Sequence, residues 1–322
     1  MDNTVVIGTT FVDLKGFSIN TYDPKGRNLG DIKIVHGGVG RNVVENFANS
    51  GMPVSYVGML EDSAIGRDVE RHLMEIGANL DHKVIAPENG IGMWLVILDE
   101  KGDLAGSISK MPDISHLEKY LVQYGDQIIS DAEAVVLELD LSENIAEMIV
   151  NLAKKYDKKI YSIVGNMSVI LARKDLVRQT DCFICNEIEA GKFFDNPALT
   201  AFDPLQMKDY LPHAAKEAGI TSMVVTMGSQ GSVYYEESAD VSGISDISGN
   251  SGISDISGIC QPVPVQVVDT SGAGDAFFSG TVMGLIRGIP LQKAVTYGAR
   301  LASATISRPE NNCPVNKHFF ED

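Results

Sequence analysis

Short apolar runs alternate with amphipathic stretches along most of this chain of 322 residues. Runs of strand length predict strands at Thr4–Gly8, Val54–Met59, Ala134–Leu139, Lys159–Val164, Cys182–Cys185 and Met223–Thr226. Between them, apolar positions recur at helical spacing and predict helices at Val39–Asn49, Ala64–Ile76, Ile114–Tyr124, Glu143–Tyr156 and Pro204–Ala218. This alternation predicts an α/β fold, a doubly wound and mainly parallel sheet with helices on both faces. Two long apolar helical segments follow, Ala273–Arg287 and Leu291–Ser307, separated by Gly288-Ile289-Pro290, the punctuation expected between a helix stop and a helix start.

Two regions break the alternation. Phe11–Val35 and Ile91–Ser109 read as extended segments, the second a hairpin turning near Glu100–Asp103. Strands that leave a βα series predict a small β-sheet lid over the site; an ordinary edge hairpin is the plainer alternative. A tandem duplication, SGISDISGN at Ser242–Asn250 and SGISDISGI at Ser251–Ile259, lies between strand-like Ser232–Glu236 and Pro262–Val268. Two copies are too few for a solenoid, so the repeat predicts a mobile surface loop at about residues 238–260.

Composition changes the picture mainly by exclusion. With 43 acidic against 26 basic residues and a net charge of −17, the surface repels nucleic-acid backbones and anionic membranes. No apolar run is long enough to span a bilayer and the N-terminal stretch has no signal-peptide pattern, so a cytoplasmic protein is expected. Cys182 and Cys185 form a CxxC without a second pair, inside a run that reads as a buried strand. Residues three apart on a strand face opposite ways, so structural thiols are expected there, not a metal or redox site.

The strongest chemical signal is Val268-Asp269-Thr270-Ser271-Gly272-Ala273-Gly274-Asp275, running into an apolar helix. Small residues at a helix start let a ligand approach, and first-turn N–H groups lack intrahelical partners, which makes an anion hole suited to a transferring phosphoryl group. Asp275 in that turn is a candidate general base, although the same position suits an acid that merely complements the helix dipole. The helix N-terminus is expected to lower its pKa. No GxxxxGK[ST], HRD or DFG set is present, and Gly38-Val39-Gly40 fails the full GxGxxG.

DTSGAGDAFFSG resembles the C-terminal signature of the ribokinase-like (PfkB) carbohydrate kinases. Three further stretches resemble that family in the correct order: His36-Gly37-Gly38-Val39-Gly40-Arg41-Asn42, Asn186-Glu187-Ile188-Glu189 and Thr226-Met227-Gly228-Ser229-Gln230-Gly231. The resemblance implies one kinase domain over residues 1–322 that moves a phosphoryl group from ATP to a sugar or nucleoside hydroxyl. It implies Asp275 as base; Gly272, Ala273 and Gly274 as anion hole; and Asp13, Gly37, Gly38 and Asn42 as substrate ligands. Asn186, Thr226 and Gly228 would contact ATP, and Glu189 would organise Mg²⁺ through water. The family's monovalent-cation loop corresponds to Ser307–Pro314, which lacks the usual glycine and weakens the case for K⁺ activation. A homodimer through the lid is implied as well.

Asp13-Leu14-Lys15-Gly16-Phe17-Ser18, the Gly37–Asn42 stretch and Asn311-Asn312 most resemble the pseudouridine-phosphorylating members. Pseudouridine is therefore the first expected substrate, with Lys15–Ser18 and Met93–Ile97 meeting the base. The alternatives are a ribokinase-type or other sugar kinase and, more distantly, a non-catalytic binding protein of the same fold.

Overall fold

The computed structural model describes residues 3–238, 255–308, 312, 315, 319 and 320. In chain order the strands and helices of the first half are β1 (Thr4–Gly8), β2 (Phe11–Ser18), β3 (Gly30–Gly37), α1 (Val39–Asn49), β4 (Val54–Glu61), α2 (Ala64–Glu75), β5 (Val84–Ala86), β6 (Gly92–Leu98), β7 (Leu104–Lys110), α3 (Ser115–Asp131) and β8 (Ala134–Glu138). The second half continues with α4 (Glu143–Lys155), β9 (Lys159–Ile163), α5 (Ser168–Ala172), α6 (Lys174–Val177), β10 (Cys182–Asn186), α7 (Glu187–Phe193), α8 (Pro204–Ala218), β11 (Ser222–Thr226), β12 (Ser232–Glu236), β13 (Ile256–Cys260), α9 (Ala273–Ile286) and α10 (Leu291–Ile306).

Nine strands make one sheet in the order β13-β12-β11-β10-β9-β8-β1-β4-β5. All neighbours are parallel except β11–β12 and β12–β13. From β1 the chain builds outward through β4 and β5, then returns to β8 on the other side. The β1/β8 boundary is therefore the topological switch point, the usual ligand crevice of such sheets.

Period-two alternation assigns the core to two layers. Val5, Ile7, Val135 and Leu137 pack on one face, Val6, Ala134 and Val136 on the other. Cys185 joins the first cluster and Cys182 the second, so the CxxC thiols are free, buried and on opposite faces. Burial pushes both thiols up, Cys182 to about 12. Helix α9 is apolar on nearly every side and buries Ala276 through Gly284, as a helix enclosed by α1, α10 and the sheet must.

The four strands outside the series form a separate sheet, β3-β2-β6-β7. Its register aligns Val35, Asp13, Trp94 and Ser109 in one row and Ile34, Leu14, Leu95 and Ile108 in the adjacent row on the opposite face.

Two expectations change. Residues 239–254, most of the repeat, lie outside the described residues. The end of the second copy is not loop: Ile256–Ile259 lies in β13 and pairs with β12, with Gly258 opposite Tyr234. Conversely, the stretch expected as a strand at Pro262–Val268 is irregular. Pro262 and Pro264 cannot donate to a ladder, and Val263, Val265, Val267 and Val268 are exposed.

A test follows from the near-identity of the copies. Deleting Ser242–Asn250 leaves β13 unchanged, whereas deleting Ser251–Ile259 brings Asn250 into the place of Ile259. Ile259 pairs with the fully buried Val233 and packs on the core. The two deletions shorten the connection equally, at a closure cost well under about 1 kcal/mol. Thermal melting should show the second deletion less stable than the first by about 1–3 kcal/mol. Equal midpoints would mean that Ile259 contributes nothing.

Candidate active site

The site lies at the C-terminal ends of β1, β8, β10 and β11, where α1 and α9 present their N-termini. Between β3 and α1 the chain must turn sharply. Gly37 and Gly38 make that turn, and Gly38 has φ 99°, backbone that only glycine adopts without strain. A Cβ on Gly37 would lie 2.9 Å from the Asp13 carboxylate, so the half-buried Asp13 stands directly over the turn.

Helix α1 carries Asn42 to α9. Its Nδ2 donates to Oδ2 of Asp275 at 2.6 Å, across 233 residues of sequence. On the α9 side, Gly272 (φ 75°) is the N-cap and its carbonyl accepts from Ala276 N–H at 2.9 Å. Ala273 N–H turns back to the Thr270 carbonyl at 3.2 Å, which leaves the Gly274 and Asp275 N–H groups as the first-turn donors for an anion. A Cβ on Gly274 would meet nothing within 4 Å, so that side of the turn is open.

Asp275 does not have the lowered pKa that a helix start alone would give. Burial raises it to about 6, against the hydrogen bond from Asn42 and the charge of Arg41, while the charge of Glu189 pushes it further up. Desolvation, the largest effect on Asp275, follows from its packing against α1. A carboxylate near 6 is a better proton acceptor toward an alcohol than an ordinary aspartate.

The two stretches expected to contact ATP meet through the sheet. Asn186 ends β10 and Thr226 ends β11, and they are register partners. Thr226 Oγ1 donates to the Cys185 carbonyl at 3.4 Å, and Gly228 follows with φ 53° and open space beside it. Asn186 and Glu189 form a reciprocal capping box at the start of α7: Glu189 N–H donates to Asn186 Oδ1 and Asn186 N–H to Glu189 Oε2, both at 2.8 Å. The NxxE pattern is thus first a helix cap. One Glu189 oxygen serves that cap, and burial raises its pKa. No group of three or more His, Cys, Asp or Glu side chains able to hold a metal ion occurs among the described residues. An Mg²⁺ held through water and phosphates, with one carboxylate nearby, fits such a site. Of the proposed cation loop, only Ser307, Arg308 and Asn312 are among the described residues.

Glu138 and Arg41 had no role in the sequence pattern, and Lys15 takes a different one from that expected. Lys15 was expected to meet a base, yet its buried ammonium donates to Asp269 Oδ2 at 3.0 Å and Ser271 Oγ at 3.1 Å. It ties β2 of the small sheet to the turn before α9. Burial pushes the Asp269 carboxyl up, but hydrogen bonds from Ser271 and Lys15 outweigh it and hold the group low. Glu138 ends β8 at the switch point and accepts from Thr9 N–H at 2.7 Å; burial raises its pKa to about 7. A lone carboxylate closing an otherwise apolar strand was the available signal. Arg41 is only 1% exposed, and Trp94 stands half-buried beside Asp13 on the adjacent strand.

A large, mainly parallel α/β sheet with a four-stranded companion sheet, and an acid poised at a glycine-rich helix start, define a ribokinase-like phosphotransferase. The profile of the pfkB family carbohydrate kinases matches residues 1–317, and the chain belongs to that family. It is 34% identical over 311 residues to a guanosine-inosine kinase of Exiguobacterium acetylicum, covering 97% of this chain and 96% of that one. It is 27% identical over 315 residues to the pseudouridine kinase of Escherichia coli, covering 97% and 93%. Among solved structures, Arabidopsis thaliana ribokinase complexed with ribose and ATP superposes with a TM-score of 0.76 at 21% identity, covering 96% and 94%. The protein is therefore a sugar or nucleoside kinase acting on a hydroxyl group. No helix among its described residues is long and apolar enough to cross a membrane.

Proposed function

We propose that this kinase transfers the γ-phosphoryl group of ATP to the 5′-hydroxyl of a ribonucleoside, with Asp275 as the general base. The observation that carries this reading is the 2.6 Å contact between Asn42 and Asp275, which joins the sugar-side turn to the anion-side helix at one point. The acceptor hydroxyl gives its proton to Asp275 as its oxygen bonds to the γ-phosphorus, and the bond to the ADP oxygen breaks. The N–H groups of Gly274 and Asp275, with Gly272 and Ala273 shaping the turn, receive the charge on the phosphoryl oxygens. Asp13, Gly37, Gly38 and Asn42 hold the ribose; Asn186, Thr226 and Gly228 contact ATP. Mg²⁺ supplies charge neutralisation at the phosphates when bound, and Glu189 would orient its water.

Two features favour a nucleoside over a free sugar. Trp94 shares a sheet face with Asp13 on the adjacent strand, where an aromatic ring can stack on a base whose ribose Asp13 grips. The greater identity to a guanosine-inosine kinase, 34% against 27% for a pseudouridine kinase, puts purine ribonucleosides ahead of pseudouridine. The exposed side chains of Ile34, Leu95 and Ile108 on the opposite face support pairing of two copies through the small sheet, which would act as the lid.

ADP release measured against guanosine, inosine, pseudouridine, uridine, ribose and fructose 6-phosphate tests the reading. Guanosine or inosine should exceed ribose in kcat/KM by at least about 10²-fold, because a site built to bind the base gains little from ribose alone. Pseudouridine ranked first would return the substrate to the one expected from the Asp13–Ser18 stretch. Ribose or a hexose phosphate ranked first would reject the nucleoside reading and leave the kinase standing.

A further inference from the structure

We infer that Arg41 is a positioning residue of this kinase, a buried fork that fixes the Gly37–Gly38 turn and the Asn42–Asp275 contact as one unit. The inference rests on the reading of Asp275 as base.

Arg41 follows directly from the sugar-side turn, on the first turn of α1, with its side chain essentially out of water. An isolated guanidinium is costly to bury, so its donors must all be used. They are spent on the site. Nε donates to the Gly37 carbonyl at 3.1 Å and one terminal nitrogen to the His36 carbonyl at 2.6 Å, which holds the turn from beneath. The same nitrogen donates to Asn42 Oδ1, and the other terminal nitrogen pairs with Glu45.

The bond to Asn42 Oδ1 has a chemical consequence. An amide side chain can present either its oxygen or its nitrogen, and only the nitrogen can donate to a carboxylate. With its oxygen engaged by Arg41, Asn42 is obliged to turn Nδ2 toward Asp275. The planar five-donor fork is suited to bridging two carbonyls, an amide and a carboxylate together; an ammonium group is a point charge that is not. Glu45 is held in turn by His72 Nε2 at 3.0 Å, so the cluster runs from the base to the protein surface.

The charge of Arg41 also reaches Asp275 and lowers its pKa, opposing the burial that raises it. Glu189 on α7 also acts on Asp275, and Asp275 in turn raises Glu138 at the end of β8. Those acting on Arg41 are Glu45, Asp275, Tyr56 and Asp13.

The test measures kcat, acceptor KM and the pH profile of kcat/KM for Arg41→Lys and Arg41→Gln, with the acceptor that the substrate screen ranks first. Arg41→Lys keeps the charge and loses the fork, so the acceptor KM should rise about tenfold or more while the acid limb stays in place. Arg41→Gln loses the charge, so the acid limb should move to higher pH and kcat should fall. If loss of the arginine partner of Glu45 prevents that variant from folding, the double variant Arg41→Gln with Glu45→Gln removes the pair together. It carries the same direction with a smaller shift, because the opposing Glu45 charge goes with it. A folded Arg41→Lys enzyme with wild-type kcat and KM overturns the inference, as does a neutral variant with an unmoved acid limb. Asp275→Asn run alongside separates the two readings. Retained turnover there overturns both, whereas its loss beside unaltered Arg41 variants overturns this inference alone.

Discussion

Replacing Asp275 with Asn should lower kcat by about 10²–10⁴ with substrate binding largely kept, the usual worth of a positioned base. The substitution is nearly isosteric and retains a partner for Asn42, so the fold should be undisturbed. In the native enzyme the pKa of about 6 fixes the pH dependence. Below it Asp275 is protonated and cannot accept the hydroxyl proton; above it the group is ionised and the rate is level on this account. The acid limb of kcat/KM should therefore fall about tenfold per pH unit below about 6. Near-normal turnover of a folded Asp275→Asn variant would reject the assignment, whereas an acid limb near about 4, the ordinary aspartate value, would keep the base and reject the effect of burial on it.

The parts of the site that the sequence made legible are those whose function demands a particular backbone. The Gly37–Gly38 turn, the Gly272–Gly274 helix start and the strand-end Thr226–Gly228 each need small residues at set positions, so they leave a local pattern. The strand and helix positions were legible for the same reason, since period-two and period-3.6 patterns are local. What was not legible depends on contacts between distant elements. Lys15 reads as a lid lysine until β2 is seen to pass over the turn holding Asp269 and Ser271, more than 250 positions away. The direction of the Asp275 shift followed the same rule: the helix start is visible in the sequence, but the desolvation that wins is set by packing against α1. Residues 256–259 went unread as a strand because Ile256 and Ile259 sit inside a Ser/Gly-rich repeat that reads as loop, and pairing with β12 is what makes them one.

Gly38→Ala and Gly274→Ala should separate glycine that holds the site's shape from glycine that makes room for a phosphate. At Gly38 an alanine meets two obstacles. Its φ of 99° is strained for any L side chain, at about 1–3 kcal/mol. Its Cβ would also lie 2.6 Å from Thr9 O and from Phe11 N, backbone atoms that cannot swing aside. The turn must then move, and it moves the start of α1 with it, because Asn42 N–H bonds the Gly38 carbonyl at 2.9 Å and Arg41 N–H the Thr9 carbonyl at 3.1 Å. A displacement of about 1 Å at Asn42 suffices for a loss of roughly 10²-fold in kcat/KM. Gly38→Ala should thus be less stable by about 2–5 kcal/mol and less active by about 10²–10³-fold. Gly274 has no positive φ and nothing within 4 Å of an added Cβ, so alanine there should leave the melting temperature at or slightly above that of the native protein. If the Gly274 N–H meets the transferring phosphoryl, the added methyl group crowds the anion alone, and kcat should fall about tenfold or more in an undestabilised enzyme. Full activity in Gly274→Ala would move the anion site away from this turn, and a Gly38→Ala enzyme of native stability and rate would show that the turn does not hold Asn42 in place.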